Sequence, residues 1–197
     1  MPRDDVDDFW DLVEQVRTRT GRAGFSDELA RELGRRPIPR IARFHATMMR
    51  LADRAARWEL LAAADLVFAR YEGCSADSFH DFRLWLVHLG RDVFEDVLAD
   101  PDALAELPEI AVLASGDWSN AAFPAMGELC GVAEQAFEIV LGRLTAAVAA
   151  TIVEPAEFEQ RPCEEPCGRF VSFGAEEGRA RFPRLTEMFG SEHAALR

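Results

Sequence analysis

The stretch Gly73-Cys74-Ser75-Ala76-Asp77-Ser78-Phe79-His80-Asp81-Phe82-Arg83-Leu84-Trp85-Leu86-Val87-His88-Leu89-Gly90 decides the fold class. Ser75 offers a side-chain oxygen to the free amides of a helix start, and Asp77 adds early negative charge. Phe79, Phe82, Leu86 and Leu89 then recur at three and four residues, which is one face of a helix, while His80, Asp81 and His88 fall beside it. Gly90 weakens or ends the pattern. The spacing predicts a helix over 76–89.

The same period recurs on both sides of this block. Asp5 to Arg19 carries Val6, Phe9, Trp10, Leu12, Val13 and Val16 on one face, with its acids toward the positive N-terminal end. After the break between Gly21 and Gly24, Ser26 is the expected cap of a short helix through Leu33, stopped by Gly34. Pro37 and Pro39 mark a turn. Ile41, Phe44, Met48, Leu51 and Ala55 then outline an amphipathic helix to about Arg57, and Leu60, Leu61, Ala64, Leu66, Val67 and Phe68 continue it toward Tyr71. Residues 38–71 thus read as one bent helix or as two.

Beyond Gly90, Val93, Phe94, Val97 and Leu98 give a short helix, and Asp100-Pro101-Asp102 opens a further turn through Glu106. Leu107 to Pro124 reads as irregular, and Gly127 to Ile152 as a last long apolar helix. From Glu154 the composition shifts to Glu, Pro, Arg and Gly, which predicts an extended segment pinned by the cluster Phe182-Pro183-Arg184-Leu185. The expected architecture is all-α: a single-domain irregular helical bundle over 1–152, with an extended tail over 153–197 packing back on it.

Bulk properties narrow the function classes. The chain of 197 residues has a formal net charge of −13, from 35 acidic against 22 basic side chains, which works against binding nucleic acid. Every basic side chain other than histidine is arginine, so lysine nucleophiles and Schiff bases are excluded. The N-terminus is acidic where a secretory signal would be basic, and no apolar run reaches membrane-span length, so the expected location is cytoplasmic with no membrane partner. Four cysteines, Cys74, Cys130, Cys163 and Cys167, are too few for a disulfide framework and are expected as thiols. No cofactor-binding motif is present, so none is expected.

A string of short motifs carries a family resemblance. Phe9-Trp10-Asp11-Leu12-Val13, Arg54-Ala55-Ala56-Arg57-Trp58-Glu59-Leu60, the Gly73 to Gly90 block, Val93-Phe94 with Ala99-Asp100-Pro101-Asp102, and Phe182-Pro183-Arg184-Leu185 resemble, in this order, the bacterial domain of unknown function family 4240. The match is densest between Trp58 and Asp102. Ala76 departs from it, standing where the family pattern has one of two adjacent acids. The resemblance implies an all-helical domain, sometimes joined to a WGR module, and implies no established activity.

Arg83 is the sharpest candidate for chemistry, because an arginine beside an apolar stripe is costly to bury without a partner. It reads as an internal ion pair with Asp65, Asp77 or Glu59, or as a bidentate clamp on an anionic ligand. Cys74 at a helix N-terminus could be a thiol of lowered pKa, or a small structural residue. His45, between Phe44 and Met48, reads as a partly buried helix residue or a base. His80 and His88 sit two turns apart, twice the spacing of a metal-binding pair, and read as solvated or interface residues. Cys163 and Cys167 are weak metal or redox candidates, because zinc ribbons need a second pair. Trp118, with Ser115-Gly116-Asp117, lies in a loop from which an indole could anchor the core or meet a partner.

Two function classes remain. One is a cytoplasmic binding or regulatory module recognising a protein or small anionic ligand through the Trp118 loop and the acidic exterior. The other is an accessory enzyme of a biosynthetic or modification pathway, with Arg83 as anion clamp, Asp77 or Asp65 as acid or base, and Cys74 or His45 nearby. Nothing in the pattern sets the oligomeric state.

Overall fold

The structure is a computed structural model that describes residues 3–69, 73–119, 123–143, 166–168 and 180–195. Its elements are α1 (Arg3–Thr20), α2 (Phe25–Leu33), α3 (Ile38–Arg54), α4 (Trp58–Val67), α5 (Ala76–His88), α6 (Arg91–Ala99), a 3-10 helix (Pro101–Glu106), α7 (Pro108–Ala114), a second 3-10 helix (Gly127–Gly131), α8 (Val132–Leu141) and α9 (Pro183–Ala195). The fold is an all-α irregular bundle. Among the described residues the one strand-like feature is an isolated bridge between Arg57 and Cys167. No helix of the described residues is long and apolar enough to cross a membrane. The stretch 144–152 of the long apolar helix expected from Gly127 lies outside the described residues.

Of the stretch expected as one bent helix or two, the described residues form two, α3 and α4, divided after Arg54. The predicted cap Ser26 instead lies inside α2, whose N-cap is Gly24 with no side-chain bond to the free amides. The stretch after Leu107, read as irregular, contains α7. Pro108 stands at its first position, Glu109 brings charge to its first turn, and Ile110 and Leu113, three apart, are both buried. Seven residues are too few for a periodic signal to rise above the loop composition around them. The final segment ends in helix, with Phe182 and Leu185 of the expected cluster buried.

The chain groups into two compact units, one from Met1–Leu51 with Gly127–Pro162, the other from Ala52–Met126 with Cys163–Arg197. In the first, α2 packs along α8 and against α1. Phe9 stacks on Phe44 at 4.5 Å between centroids and meets Trp10 edge-on at 5.1 Å. α2 and α8 approach closely at Gly34, where a Cβ would stand 2.8 Å from Ile139 Cγ2. Arg143 Nη1 donates to the Gly34 carbonyl at 2.7 Å, so the free end of α2 is capped from beyond α8.

In the second unit, α5 packs on α4 and α6, and α9 packs on α4, the first 3-10 helix and α7. The aromatic core runs from Phe123 to Phe68 at 5.0 Å, to Phe82 at 6.0 Å and on to Trp85 at 5.3 Å. Phe82 and Trp85 are both 0% exposed, which fixes α5 as the buried centre of this unit.

The contact at Gly34 yields a direct expectation. Gly34→Leu should lower stability by about 1–3 kcal/mol, the usual range for overpacking, read as a fall in urea midpoint at unchanged m-value. Arg35→Leu, one residue away at an exposed position, should stay within about 0.5 kcal/mol.

Candidate functional site

The entry to α5 is built by Asp65 of α4. Gly73 adopts a φ of +98°, and a Cβ there would lie 2.5 Å from Asp65 Oδ1, so only glycine fits the turn. The same oxygen accepts the Cys74 amide at 2.9 Å. Ser75 then caps α5 as its sequence implies, its Oγ accepting the Ser78 amide at 3.1 Å. Asp65, one of the expected acid or base candidates, is thereby engaged in holding a turn.

Arg83, one turn beyond Phe79, is 2% exposed. Its Nη1 donates to the Ala52 carbonyl at 2.9 Å, its Nε to the Phe79 carbonyl at 3.4 Å, and its Nη2 meets His80 Nδ1 at 3.2 Å. The guanidinium also lies over the Phe79 ring, 5.1 Å from the centroid. A guanidinium has no acceptor, so His80 Nδ1 must accept and the imidazole is neutral there. Burial lowers the His80 pKa, and the Arg83 charge lowers it further. Of the carboxylates considered for Arg83, Glu59 pairs with Arg181 and Asp65 takes the Cys74 amide. Asp77 is exposed in the first turn of α5, where its charge acts on His80.

The thiol of Cys74 is pushed up to about 12, first by burial and then by the Asp65 carboxylate, with Arg83 opposing only in part. Of the two readings of Cys74, this opposes the lowered thiol: desolvation and a neighbouring anion outweigh the helix amides. Cys74 stays a thiol at neutral pH and is a poor nucleophile.

The remaining candidates lie apart from this cluster. His45 is 2% exposed in α3, and burial lowers its pKa, which favours the neutral ring. His88 is 5% exposed at the end of α5, inside the unit rather than on a solvated face. Trp118 lies half-buried in the loop after α7, where Asp117 Oδ1 accepts the Ser119 amide at 3.0 Å. Cys167 is exposed, and its backbone exchanges bonds with Ala56 at 2.7 Å and Trp58 at 3.0 Å. Cys163 lies outside the described residues. Among the described residues, no group of three or more His, Cys, Asp or Glu side chains could hold a metal ion.

A polar centre that periodicity did not single out lies at Asp102, which is 3% exposed in the first 3-10 helix. Its Oδ1 accepts the Leu185 amide at 3.0 Å, and its Oδ2 accepts the Arg184 amide at 3.1 Å and Arg184 Nε at 3.0 Å. Arg184 also reaches Asp100 at 2.6 Å and pairs with Glu106. The sequence signal was present as two short motifs, Asp100-Pro101-Asp102 and Phe182-Pro183-Arg184-Leu185. Their union across 82 residues is invisible to a helical-period reading.

Two expectations follow from the Arg83 cluster. Arg83→Met should lower stability by about 1–3 kcal/mol, because it strips the guanidinium from buried carbonyl and imidazole acceptors. Chemical denaturation checks this. In alkylation by iodoacetamide at pH 8, Cys74 should label at least about tenfold more slowly than exposed Cys167, read by peptide mapping.

Comparison with known proteins places the chain in a family. No curated protein and no solved structure matches the chain. A family model described as "Protein of unknown function (DUF4240)" matches residues 5–139, which span α1 through most of α8. The resemblance carried by the Phe9, Trp58, Gly73–Gly90 and Asp100–Asp102 motifs falls inside this match, and the chain belongs to that family.

Proposed function

We propose that this protein is a cytoplasmic binding or regulatory module that recognises a protein partner, and that the α5 cluster is its scaffold rather than a reaction centre. One observation carries the reading: Arg83, the residue suited to clamp an anionic substrate, is 2% exposed and spends its donors on the Ala52 and Phe79 carbonyls and on His80. The groups that would serve an enzyme at this place are committed in the same way. Asp65 holds the Gly73 turn, and Cys74 is held protonated.

The recognition surface is the end of α7 with the loop that follows. Val112 is 39% exposed, the most open large apolar side chain among the described residues. The Asp117 amide donates to the Val112 carbonyl at 3.3 Å, which folds the loop bearing Trp118 back on the last turn of α7. A half-buried indole in a loop bonded back to an exposed aliphatic residue has the composition of an interface anchor. The net charge of −13 favours a partner with a basic contact surface.

A photo-reactive residue at position 112 tests the reading in the source cells. The expected result is one discrete cross-linked protein, lost in a Trp118→Ala background whose thermal unfolding is unchanged. Cross-linking that is absent at 112, or indifferent to Trp118→Ala, would overturn it.

A further inference from the structure

We propose that the face of the second unit beneath α9 is an exchangeable docking site for a helix start of the pattern Phe-Pro-Arg-Leu-x-x-x-Phe, filled in cis by the chain's own tail and open to the same segment of a second copy. The recognition is stereochemically specific. Asp102 is nearly sealed from solvent, yet its two oxygens receive their three hydrogen bonds from Arg184 and Leu185 at the start of α9. The carboxylate thereby satisfies free amides of a helix N-terminus and, through Nε, fixes which side chain stands there. Asp100 and Glu106 complete an acidic cradle around the guanidinium.

The apolar contacts are equally directional. Phe182, Leu185 and Phe189 are 1%, 0% and 0% exposed, and their spacing puts three anchors on one face, as a helix seated in a groove requires. Pro183 opens the helix without losing a needed amide donor.

The seat and the occupant come from distant parts of the chain. The seat, made by α4, the first 3-10 helix and α7, lies within the matched residues 5–139, whereas the docked segment begins near residue 180. Residues 169–179 join the docked segment to Gly168. The occupant is therefore attached to its seat as a tethered ligand. An intermolecular occupant must supply an arginine directly after a helix-opening proline, with apolar anchors before and after it. The tail of a second copy meets each requirement, and the acidic cradle would repel an acidic substitute. Tethering gives the cis tail a local concentration on the order of millimolar, so exchange is suppressed in the intact chain and revealed when the tether is cut.

The test inserts a protease site within residues 169–179 of the full chain, cuts it, and adds a fluorescent peptide of residues 180–197. Saturable uptake of one peptide per chain, with release of the cut fragment and unchanged helical signal, is the expected result. A peptide carrying Arg184→Glu should bind at least about tenfold more weakly, and the uncut chain should take up far less of the wild-type peptide. Failure to exchange, loss of helical signal on release, or equal binding of the Arg184→Glu peptide would each overturn the proposal. The binding face is the native one in every arm, so no variant of the core is needed.

Discussion

The second unit depends on how one buried cation is satisfied. α3 ends at Arg54, which leaves its last carbonyls without partners inside the helix. Arg83 supplies the donor for Ala52, the Ala56 amide turns back to Asp53 at 3.0 Å, and Arg57 Nε meets the Arg54 carbonyl at 3.2 Å. A positive group at a helix C-terminus also meets the negative end of the helix dipole. Arg83 thus ends one helix from the middle of another. Its ring contact with Phe79 and its bond to the Phe79 carbonyl hold the side chain back along its own helix toward that task.

The break between α3 and α4 follows from partners distant in sequence. The Trp58 amide, at the start of α4, donates to Cys167 at 3.0 Å, and Arg57 Nη1 donates to the Leu98 carbonyl at 3.1 Å. Nothing in Leu51 to Leu61 forbids a continuous helix: it holds no proline or glycine, and alanine and leucine are strong helix formers. Local propensity therefore leaves one helix and two equally open. The choice is made by groups distant in sequence: Arg83 and Cys167 offer the interrupted backbone its replacement bonds, and Leu98 anchors the Arg57 side chain.

This distinction sets what was legible in the sequence. The Ser75 cap, the α5 stripe and the buried cluster at Phe182 and Leu185 follow from neighbouring residues and could be read directly. α7 is not legible there, because two buried residues in seven give no sustained period. At the candidate site, an arginine beside an apolar stripe stands out in the sequence, but the carbonyls that receive it do not, because a backbone carbonyl has no signature there. The choice between the two readings of Cys74 is hidden from the sequence for a related reason. Its place at a helix start was correct, but the nearness of Asp65, nine residues earlier, depends on the tertiary turn at Gly73.

Arg83 and Arg184 show why a chain without lysine can assemble such centres. Arg83 directs donors to two carbonyls and an imidazole while its face lies on an aromatic ring. Arg184 directs three nitrogens to three different carboxylates. Both tasks need donors spread in a plane at fixed angles, which a guanidinium provides and a single ammonium point charge does not. The settings differ in one consequential respect. Arg83 is enclosed and bonded to carbonyls of α3 and α5 and to His80, so its position is set by the core. Arg184 is partly open to solvent and joins two segments far apart in the chain, so its bonds can be made and broken without dismantling either helix's internal ladder. The centre suited to recognition is therefore the one at Asp102, while the centre at Arg83 is suited to permanence.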